Sequence, residues 1–369
     1  MCTRVIYTPK EKQSYVGRNM DWAVNPTPEL WVMPPEVRRR AMAKTERGQE
    51  FKWKSKYSSV IVSNFGISNS DGLNSEGLAV NLLWLSSSKY PDGPPKKGSY
   101  PMSMSIWAQY ILDVCKSVKD AVYAMENIYI QTTTIPDDPS KLATCHLSIG
   151  DKKGNSAVFE YINERLHIYT NVDTSGINSC DYPHIIKHYT QDEMRVMTND
   201  PKFDTQIGSL VYWDSLNEVY KDGPALLPGS NLSLSRFVRA TYFTRQLPMN
   251  VKQNLALAGL SAVINNAAQP QTSSEDADLS RTQYSSFADQ SRLQYFFRSA
   301  YGPFLIWIDL LDVNFDKLKA KNKGKKKRYA FKLQLNEDGV FQDCDNNYMS
   351  GKMNAYLKVE KMFPFLPIP

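Results

Sequence analysis

The residue with the clearest capacity for chemistry is Cys2, which directly follows Met1. Aminopeptidases remove an initiator methionine before small side chains, which here would leave a cysteine with both a thiol and a free α-amine. A cysteine thiol titrates at about 8.5 and an α-amine at about 7.7–8.0. The amine can therefore take the thiol proton and later return it to a leaving group, without a histidine. Cys2 is a candidate nucleophile, although a cysteine at this position has no such role in most proteins.

The twenty residues after Cys2 predict a hairpin that brings two charges to the thiol. Residues 2–7 alternate apolar and polar side chains, a polar turn follows, and residues 15–22 have the pattern of a returning strand. This pairing places Arg18 and Asp21 beside the cysteine. An arginine favours the thiolate and so lowers the pKa of a thiol, and a carboxylate holds an amine. Taken alone, the same two charges also fit an ordinary surface ion pair.

Four motifs, in order along the chain, carry a resemblance to a known family. They are Cys2 with GRNMDW at 17–22, DGLNSEGLAV at 71–80, VMTNDP at 196–201, and LPG at 227–229 followed by SRFVR at 235–239. Together they resemble the choloylglycine hydrolases, which include bile salt hydrolases and penicillin V acylases. The resemblance runs from residue 2 to about residue 240, with a weaker similarity at 289–290. It implies an N-terminal nucleophile hydrolase that cuts linear carbon–nitrogen amide bonds.

The resemblance also implies a role for each matching residue. Cys2 would be the nucleophile with its α-amine as the proton shuttle, Arg18 would lie beside the sulfur, and Asp21 would bind the amine. Asn199 would donate a side-chain N–H to the oxyanion of the tetrahedral intermediate, and Arg236 would complete the polar cluster behind the nucleophile. Without the motifs, Asn199 would be interpreted as a turn residue and Arg236 as a charge on a helix surface.

Two tryptophans concern the substrate rather than the chemistry. Counted from Asp71, the position that gives a backbone N–H to the oxyanion hole in the family is Trp84, where many bile salt hydrolases have asparagine and some penicillin V acylases tyrosine. The backbone donor survives this change, but the side chain differs. Trp84 and Trp22 would form an aromatic wall for a flat apolar acyl group or a steroid face. The alternative is that both tryptophans simply pack in the core.

Composition sets the class of protein. The chain has 369 residues, 42% of them hydrophobic and 12% aromatic, which supports a sizeable buried core. The mean hydropathy of −0.45 and the lack of an apolar run of about 20 residues argue against stable membrane insertion. Residues 1–22 contain no apolar signal-peptide core. The localisation stays open: cytoplasmic, or periplasmic if a leader was removed directly before Cys2.

The cysteines and histidines do not suggest a metal site or cofactor. The five cysteines are sparse and lack C-x-x-C spacing, which disfavours a disulfide scaffold or a zinc site; they are Cys2, Cys115, Cys145, Cys180 and Cys344. His184 and His188 could share a helix face at metal-binding spacing, but no carboxylate or thiol pattern supports them. We expect neither a metal nor a cofactor.

The positive charge of the chain is local. The formal net charge is +6, and residues 317–328 contain eight Lys or Arg and no acid, so the remainder carries −2. A nucleic-acid-binding protein would spread its basic residues along a face, often with aromatics between them. We therefore expect residues 317–328 to be a solvated loop between two strands and expect no nucleic-acid partner. Attraction to an anionic membrane surface or to acidic substrates is the alternative.

The order of predicted elements indicates the fold class. Strand patterns occupy 2–8, 14–22, 58–65, 77–85, 143–150, 156–162, 166–171, 293–299, 303–311 and 329–335, and helical patterns occupy 101–129, 206–220, 232–247 and 251–267. This order is not a βαβ alternation, so it favours two mostly antiparallel sheets packed face to face under helices. The resemblance implies the four-layer αββα sandwich of N-terminal nucleophile hydrolases, an α+β fold. We expect one domain, residues 1–369, with mobile loops at 86–100 and 268–281 near the substrate entrance.

These observations lead to an amide hydrolase that acts on a small molecule through an S-acyl intermediate. Conjugated bile salts are the preferred substrates, and penicillin V and acyl-homoserine lactones are the alternatives. Outside this class, the same fold could serve a non-catalytic binder of lipids or bile salts. Related enzymes suggest a homo-oligomer, with a tetramer favoured.

Overall fold

The computed structural model describes residues 2–10, 13–135, 138–177, 183–271, 280–322, 328–343 and 345–368. In chain order the strands are β1 (Thr3–Lys10), β2 (Gln13–Trp22), β3 (Glu29–Met33), β4 (Arg38–Arg40), β5 (Lys52–Lys54), β6 (Ser59–Asn64), β7 (Ser68–Asn74), β8 (Ala79–Trp84), β9 (Tyr100–Ser103), β10 (Ile128–Gln131), β11 (Thr134–Ile135), β12 (Asp138–Leu142), β13 (Cys145–Gly150), β14 (Ser156–Ile162), β15 (Arg165–Thr170), β16 (Ile185–His188), β17 (Val196–Thr198), β18 (Arg281–Asp289), β19 (Gln294–Ser299), β20 (Ile306–Asp309), β21 (Tyr329–Leu333), β22 (Gly351–Lys352) and β23 (Lys358–Lys361). The α-helices are α1 (Met104–Val114), α2 (Val118–Ala124), α3 (Phe203–Val219), α4 (Ser233–Arg245), α5 (Gln253–Asn266) and α6 (Asp316–Asn322).

Two large sheets form the centre of the molecule. One has seven strands in the order β17-β1-β2-β18-β19-β20-β22, and the other has ten in the order β16-β15-β14-β13-β8-β7-β6-β3-β21-β23. All neighbours pair antiparallel except β20 with β22 and β15 with β16. Strands that are close in sequence pair through short turns, which is the pattern that antiparallel sheets favour.

Close approaches at two glycines show how helices cover the outer faces of the sheets. A Cβ atom at Gly17, in β2, would lie 2.8 Å from Ile264 of α5. A Cβ atom at Gly72, in β7, would lie 2.9 Å from the side chain of Leu112 in α1. Only a residue without a side chain permits such contacts. The layers therefore run from α4 and α5, through the seven-stranded sheet and the ten-stranded sheet, to α1 and α2.

Two apolar clusters fill the spaces between these layers. The first joins side chains of both sheets with those of α3, α4 and α5, and includes Val5, Val62 and Leu260. The second lies between the ten-stranded sheet and helices α1 and α2, and includes Val80 and Trp107. The predicted α+β fold with an αββα arrangement is confirmed.

The structure differs from the sequence-based prediction at several places. The single helical pattern at 101–129 divides into α1 and α2 between the short strands β9 and β10, because Ser117 caps a new helix with its side chain on the Asp120 N–H at 3.2 Å. The expected loop at 317–328 begins inside helix α6, where Leu318 is buried and Lys319 pairs with Asp316 at 2.8 Å. Residues 323–327 lie outside the described residues. The sequence patterns also do not predict strands β3, β7, β17 and β18.

No helix within the described ranges has both the length and the apolar character needed to cross a bilayer.

Candidate active site

Strand β1 lies between two strands that lead to or contain candidate site residues, and Cys2 directly precedes it. Strand β1 pairs with β17 on one side, Thr3 opposite Thr198, and with β2 on the other, Thr3 opposite Asn19. The predicted hairpin of β1 and β2 is therefore present. Cys2, one residue before this register begins, is only 2% exposed.

Arg18 is the cation beside the thiol. Its Nη2 atom lies 3.8 Å from Cys2 Sγ and donates to Leu82 O at 2.9 Å. Its Nη1 atom donates to Asp71 Oδ2 at 2.9 Å and to the Tyr284 hydroxyl at 3.1 Å. Burial alone would lower the pKa of the guanidinium, but Tyr284, Cys2 and Asp71 together raise it. Arg18 is thus a fixed positive charge rather than an ordinary surface ion pair.

Asp21 and Arg236 form a second buried ion pair on the other side of the cysteine. Arg236 Nη1 lies 3.4 Å from Asp21 Oδ2 and donates to Cys2 O at 2.9 Å. Asp21 Oδ1 accepts from the Thr282 hydroxyl at 2.6 Å. Burial raises the pKa of the Asp21 carboxyl, and the Arg236 charge opposes that shift. Arg236 points from α4 into the sheet, so it is not a helix-surface charge.

Asn199 connects the start of β1 to the end of β8. Its Oδ1 atom accepts from the Cys2 nitrogen, and its Nδ2 atom donates to Trp84 O at 2.8 Å. An amide nitrogen carries two hydrogens, so one remains after the bond to Trp84. Asn199 is 1% exposed, and the next peptide bond, between Asp200 and Pro201, is cis.

The backbone N–H of Trp84 points to the same side as these groups. Its neighbour Leu85 donates to Thr144 O at 3.0 Å, on the side of β13. Because backbone groups alternate along a strand, those of Trp84 and Leu82 point the other way. That is the side on which Arg18 bonds Leu82 O. The Trp84 N–H therefore points away from β13, and Trp84 and Cys2 line the same pocket.

A pocket whose described lining contains no charged side chain opens at the thiol. Its lining residues are Cys2, Met20, Trp22, Asn64, Phe65, Ile67, Ser68, Ser70, Leu82, Trp84, Met104, Ser105, Thr133, Thr134, Ile135, Ala143, Cys145 and Leu366. The rings of Trp22 and Trp84 lie 5.2 Å apart at 57°, so they form a wall of the pocket instead of only packing in the core. The described parts of the expected entrance loops, 86–100 and 268–281, contribute no lining residue.

A sequence model described as "Linear amide C-N hydrolases, choloylglycine hydrolase family" matches residues 2–191 and 184–323. The chain belongs to this family. It is 34% identical over 337 residues to the penicillin V acylase of Pectobacterium atrosepticum, which covers 85% of this chain and 82% of that protein. It is 24% identical over 344 residues to the bile salt hydrolase/transferase of Clostridium perfringens, covering 86% and 94%.

Solved structures agree with this assignment. The penicillin V acylase of Agrobacterium tumefaciens superimposes with a TM-score of 0.78 over the full length of both chains, at 32% identity. A variant of the conjugated bile acid hydrolase of Clostridium perfringens gives a TM-score of 0.65 at 20% identity, over 85% of this chain and 94% of that one, which supports the fold alone. The protein is a linear amide hydrolase.

Asp71 is a residue of this hydrolase's site that sequence reasoning did not assign. Its Oδ2 atom accepts from Arg18 and, at 2.8 Å, from the Ser286 hydroxyl, and its Oδ1 atom accepts from the Tyr295 hydroxyl. In the sequence it is recognisable only as the first residue of the 71–80 motif. The signal that could have found it is physical: a buried arginine needs a carboxylate partner.

Gln206 is a second unassigned residue, and it holds the backbone around Asn199. Its Nε2 atom donates to Asn199 O at 2.9 Å and to Pro201 O at 2.7 Å, and its Oε1 atom accepts from Thr198 N at 3.0 Å. The side chain is fully buried at the start of α3. This role depends on a three-dimensional turn, so no spacing rule in the sequence indicates it.

None of the His, Cys, Asp and Glu side chains in the described residues forms a group of three that could hold an ion. His184 does not share a helix face with His188, because β16 occupies Ile185–His188. His184 Nε2 instead lies 2.9 Å from Met125 O. Cys180 and Cys344 lie outside the described residues.

Proposed function

We propose that this hydrolase uses Cys2, freed by removal of Met1, as its nucleophile and the Cys2 α-amine as its base. The observation that carries the proposal is a buried Cys2 with Arg18 Nη2 at 3.8 Å from its sulfur and Asn199 Oδ1 bonded to its nitrogen. The Arg18 guanidinium therefore places a positive charge next to the attacking sulfur. The Asp21 carboxylate supplies the negative charge, and Asn199 Oδ1 the hydrogen-bond acceptor, that would hold the protonated α-amine of Cys2.

The proposed reaction proceeds in two steps. The α-amine takes the Cys2 proton, the sulfur bonds to the amide carbon, and the carbonyl electron pair moves onto oxygen. Asn199 Nδ2 and the Trp84 N–H donate to that oxyanion; loss of one such donor typically costs about 10²–10³ in rate. The C–N bond then breaks as the ammonium protonates the leaving nitrogen. Water, deprotonated by the same amine, attacks the S-acyl carbon and releases the acid and the thiol.

For the substrate, we place amides with a flat apolar acyl group, of which penicillin V is the test case, ahead of conjugated bile salts. The uncharged lining and the Trp22–Trp84 wall suit a phenoxyacetyl group. The relative at 34% identity is a penicillin V acylase, whereas the bile salt hydrolase is 24% identical. This ranking reverses the preference drawn from the sequence.

The test is a panel of penicillin V, glycocholate and a long-chain acyl-homoserine lactone, with enzyme whose mass confirms a free Cys2. We expect release of 6-aminopenicillanic acid with the highest kcat/KM in the panel, and no release by Cys2→Ala. Full turnover by protein that retains Met1 would refute the amine as base. Binding without release of amine from any substrate would leave the non-catalytic binder.

A further inference from the structure

The pocket wall includes one residue from the far end of the chain. Every other described residue that lines the pocket lies between residues 2 and 145, whereas Leu366 lies near the end. Leu366 also falls beyond residue 323, where the match to the family model ends. This part of the wall therefore comes from a segment outside the stretch that the family model matches.

Backbone hydrogen bonds hold Leu366 in the wall. Its N–H donates to Ile67 O at 3.0 Å, and its carbonyl accepts from Ser103 Oγ and Ser105 Oγ, each at 2.7 Å. Ile67 and Ser105 line the pocket as well. Because all three bonds use backbone atoms of residue 366, its side chain can change without releasing the segment.

The residues on both sides of Leu366 stiffen the segment. Phe365 is 7% exposed and belongs to the core cluster under α1 and α2. Ile368 N donates to Met42 O at 2.9 Å. Pro364 and Pro367 restrict φ and reduce the number of conformations that the segment loses when it docks. The wall at Leu366 is thus a fixed surface rather than a mobile end.

We propose that Leu366 is a specificity-determining residue that limits the length of the acyl group. The inference rests on the proposed function, since it takes the pocket beside Cys2 as the acyl site. With the backbone fixed, the volume of the side chain at 366 sets the space left for the substrate. A smaller side chain admits longer acyl chains and contacts a phenoxyacetyl group less, and a larger one excludes long chains.

The experiment compares phenoxyacetyl-4-nitroanilide with decanoyl-4-nitroanilide, which share a leaving group and differ only in the acyl part. Leu366→Ala should raise KM for the phenoxyacetyl substrate about tenfold with little change in kcat, because a lost apolar contact weakens binding uniformly. The same variant should spare or improve the decanoyl substrate. Leu366→Trp should cut kcat/KM for the decanoyl substrate about tenfold or more relative to phenoxyacetyl.

Ile368→Ala is the matched control, because it removes an aliphatic side chain from the same segment but not from the pocket. A ratio of the two kcat/KM values that is unchanged in both Leu366 variants, or that moves equally in the control, would overturn the inference. The Kd of phenoxyacetamide for Cys2→Ala protein, measured by calorimetry, does not depend on catalysis. It therefore distinguishes failure of the Leu366 inference from failure of the proposed function. If the natural chain cleaves neither anilide, a weaker Kd with Leu366→Ala still supports the wall, and an unchanged Kd rejects it.

Discussion

Two thiols share the pocket but have different surroundings. Cys2 lies 3.8 Å from a guanidinium nitrogen of Arg18. Cys145 lines the same pocket, and burial raises its pKa to about 12, with the nearby Cys2 adding to the shift. Because burial raises the pKa of Cys145, we expect the two thiols to differ in reactivity although both line one pocket.

Near neutral pH, we expect iodoacetamide to alkylate Cys2 at least about tenfold faster than Cys145, because only thiolates react. Peptide mass mapping at short times measures both rates in one sample. Cys115, where burial also raises the pKa, provides an internal control outside the pocket. Phenoxyacetamide should slow the labelling of Cys2. Equal labelling of all three cysteines would contradict an activated Cys2.

Asp71 keeps the Arg18 charge compensated inside the protein. Both side chains are at most 1% exposed, at an N–O distance of 2.9 Å. Asp71→Asn should therefore lower the free energy of unfolding by about 3–5 kcal/mol, the usual cost of breaking a buried ion pair. Urea denaturation measures this change.

Ser286→Ala is the matched control for Asp71→Asn, since its hydroxyl also bonds Asp71 Oδ2 but carries no charge. It should cost about 1 kcal/mol, the worth of a neutral hydrogen bond. Similar losses in the two variants would mean that the carboxylate charge is not important.

Sequence reasoning identified Arg18 from its motif but not Asp71, because the partner of a buried charge depends on how two sheets pack.

At the level of elements, the start of α3 controls the loop that carries Asn199. Gln206 Nε2 donates to the carbonyls of Thr198, Asn199 and Pro201, and its Oε1 atom accepts from Thr198 N. Asn199, the proposed oxyanion donor, is thereby held by a helix that contributes no residue to the pocket lining. Gln206 is a positioning residue, and its loss should affect the transition state more than substrate binding.

Gln206→Leu should lower kcat about 10- to 100-fold and change KM little, because small displacements of a preorganised donor have effects of this size. Gln206→Glu, which keeps the acceptor but loses the donors, should also be slow. Steady-state kinetics with penicillin V measures the split. Ser215→Ala, on the exposed side of α3, is the control. A purely structural role would show as reduced stability with kcat unchanged in the folded fraction.

The sequence predicts helix boundaries well where the apolar periodicity is strong. It does not predict them where a single N-cap residue sets the start of a helix. The α4 and α5 patterns at 232–247 and 251–267 match Ser233–Arg245 and Gln253–Asn266 closely. The pattern at 101–129 hides the break before α2, because apolar spacing continues through it and only Ser117 marks the new start. The burial of Leu318 gives the lysine-rich segment a helical start that its composition does not suggest.

At the scale of the whole molecule, His184 links stability to pH. Burial lowers its pKa to about 4, opposed by the bond to Met125 O. Its pKa in the unfolded chain is about 6.5. The folded state therefore binds the proton less well than the unfolded state, so the stabilisation is present above the unfolded pKa and is lost as the pH falls toward the folded one.

We expect this residue to reduce the free energy of unfolding by about 2 kcal/mol between about pH 7 and pH 5. His184→Gln should remove that part of the pH dependence, whereas His188→Gln, at an exposed position, should not. Urea titrations at both pH values measure the difference. An identical pH profile for His184→Gln and the natural chain would contradict the assignment.

The overall architecture was readable because its signal is distributed over many strands. Alternating strands grouped before and after a run of helices predict two antiparallel sheets, and no single residue decides this. By contrast, the contribution of Leu366 to a pocket built from the first 145 residues has no sequence signal, since it depends on where the last segment docks. The homotetramer and the absence of a nucleic-acid partner stay predictions.

Both ends of the described chain contribute to one pocket, and this matters for anyone who produces the protein. A tag or fusion placed before Cys2 would be attached to the Cys2 nitrogen, which donates to Asn199 Oδ1. One placed after residue 369 would follow directly on the segment that carries Leu366. Purification handles and reporter domains therefore belong inside the chain. The exposed turn at 46–48, between β4 and β5, offers an insertion point that contributes nothing to the pocket.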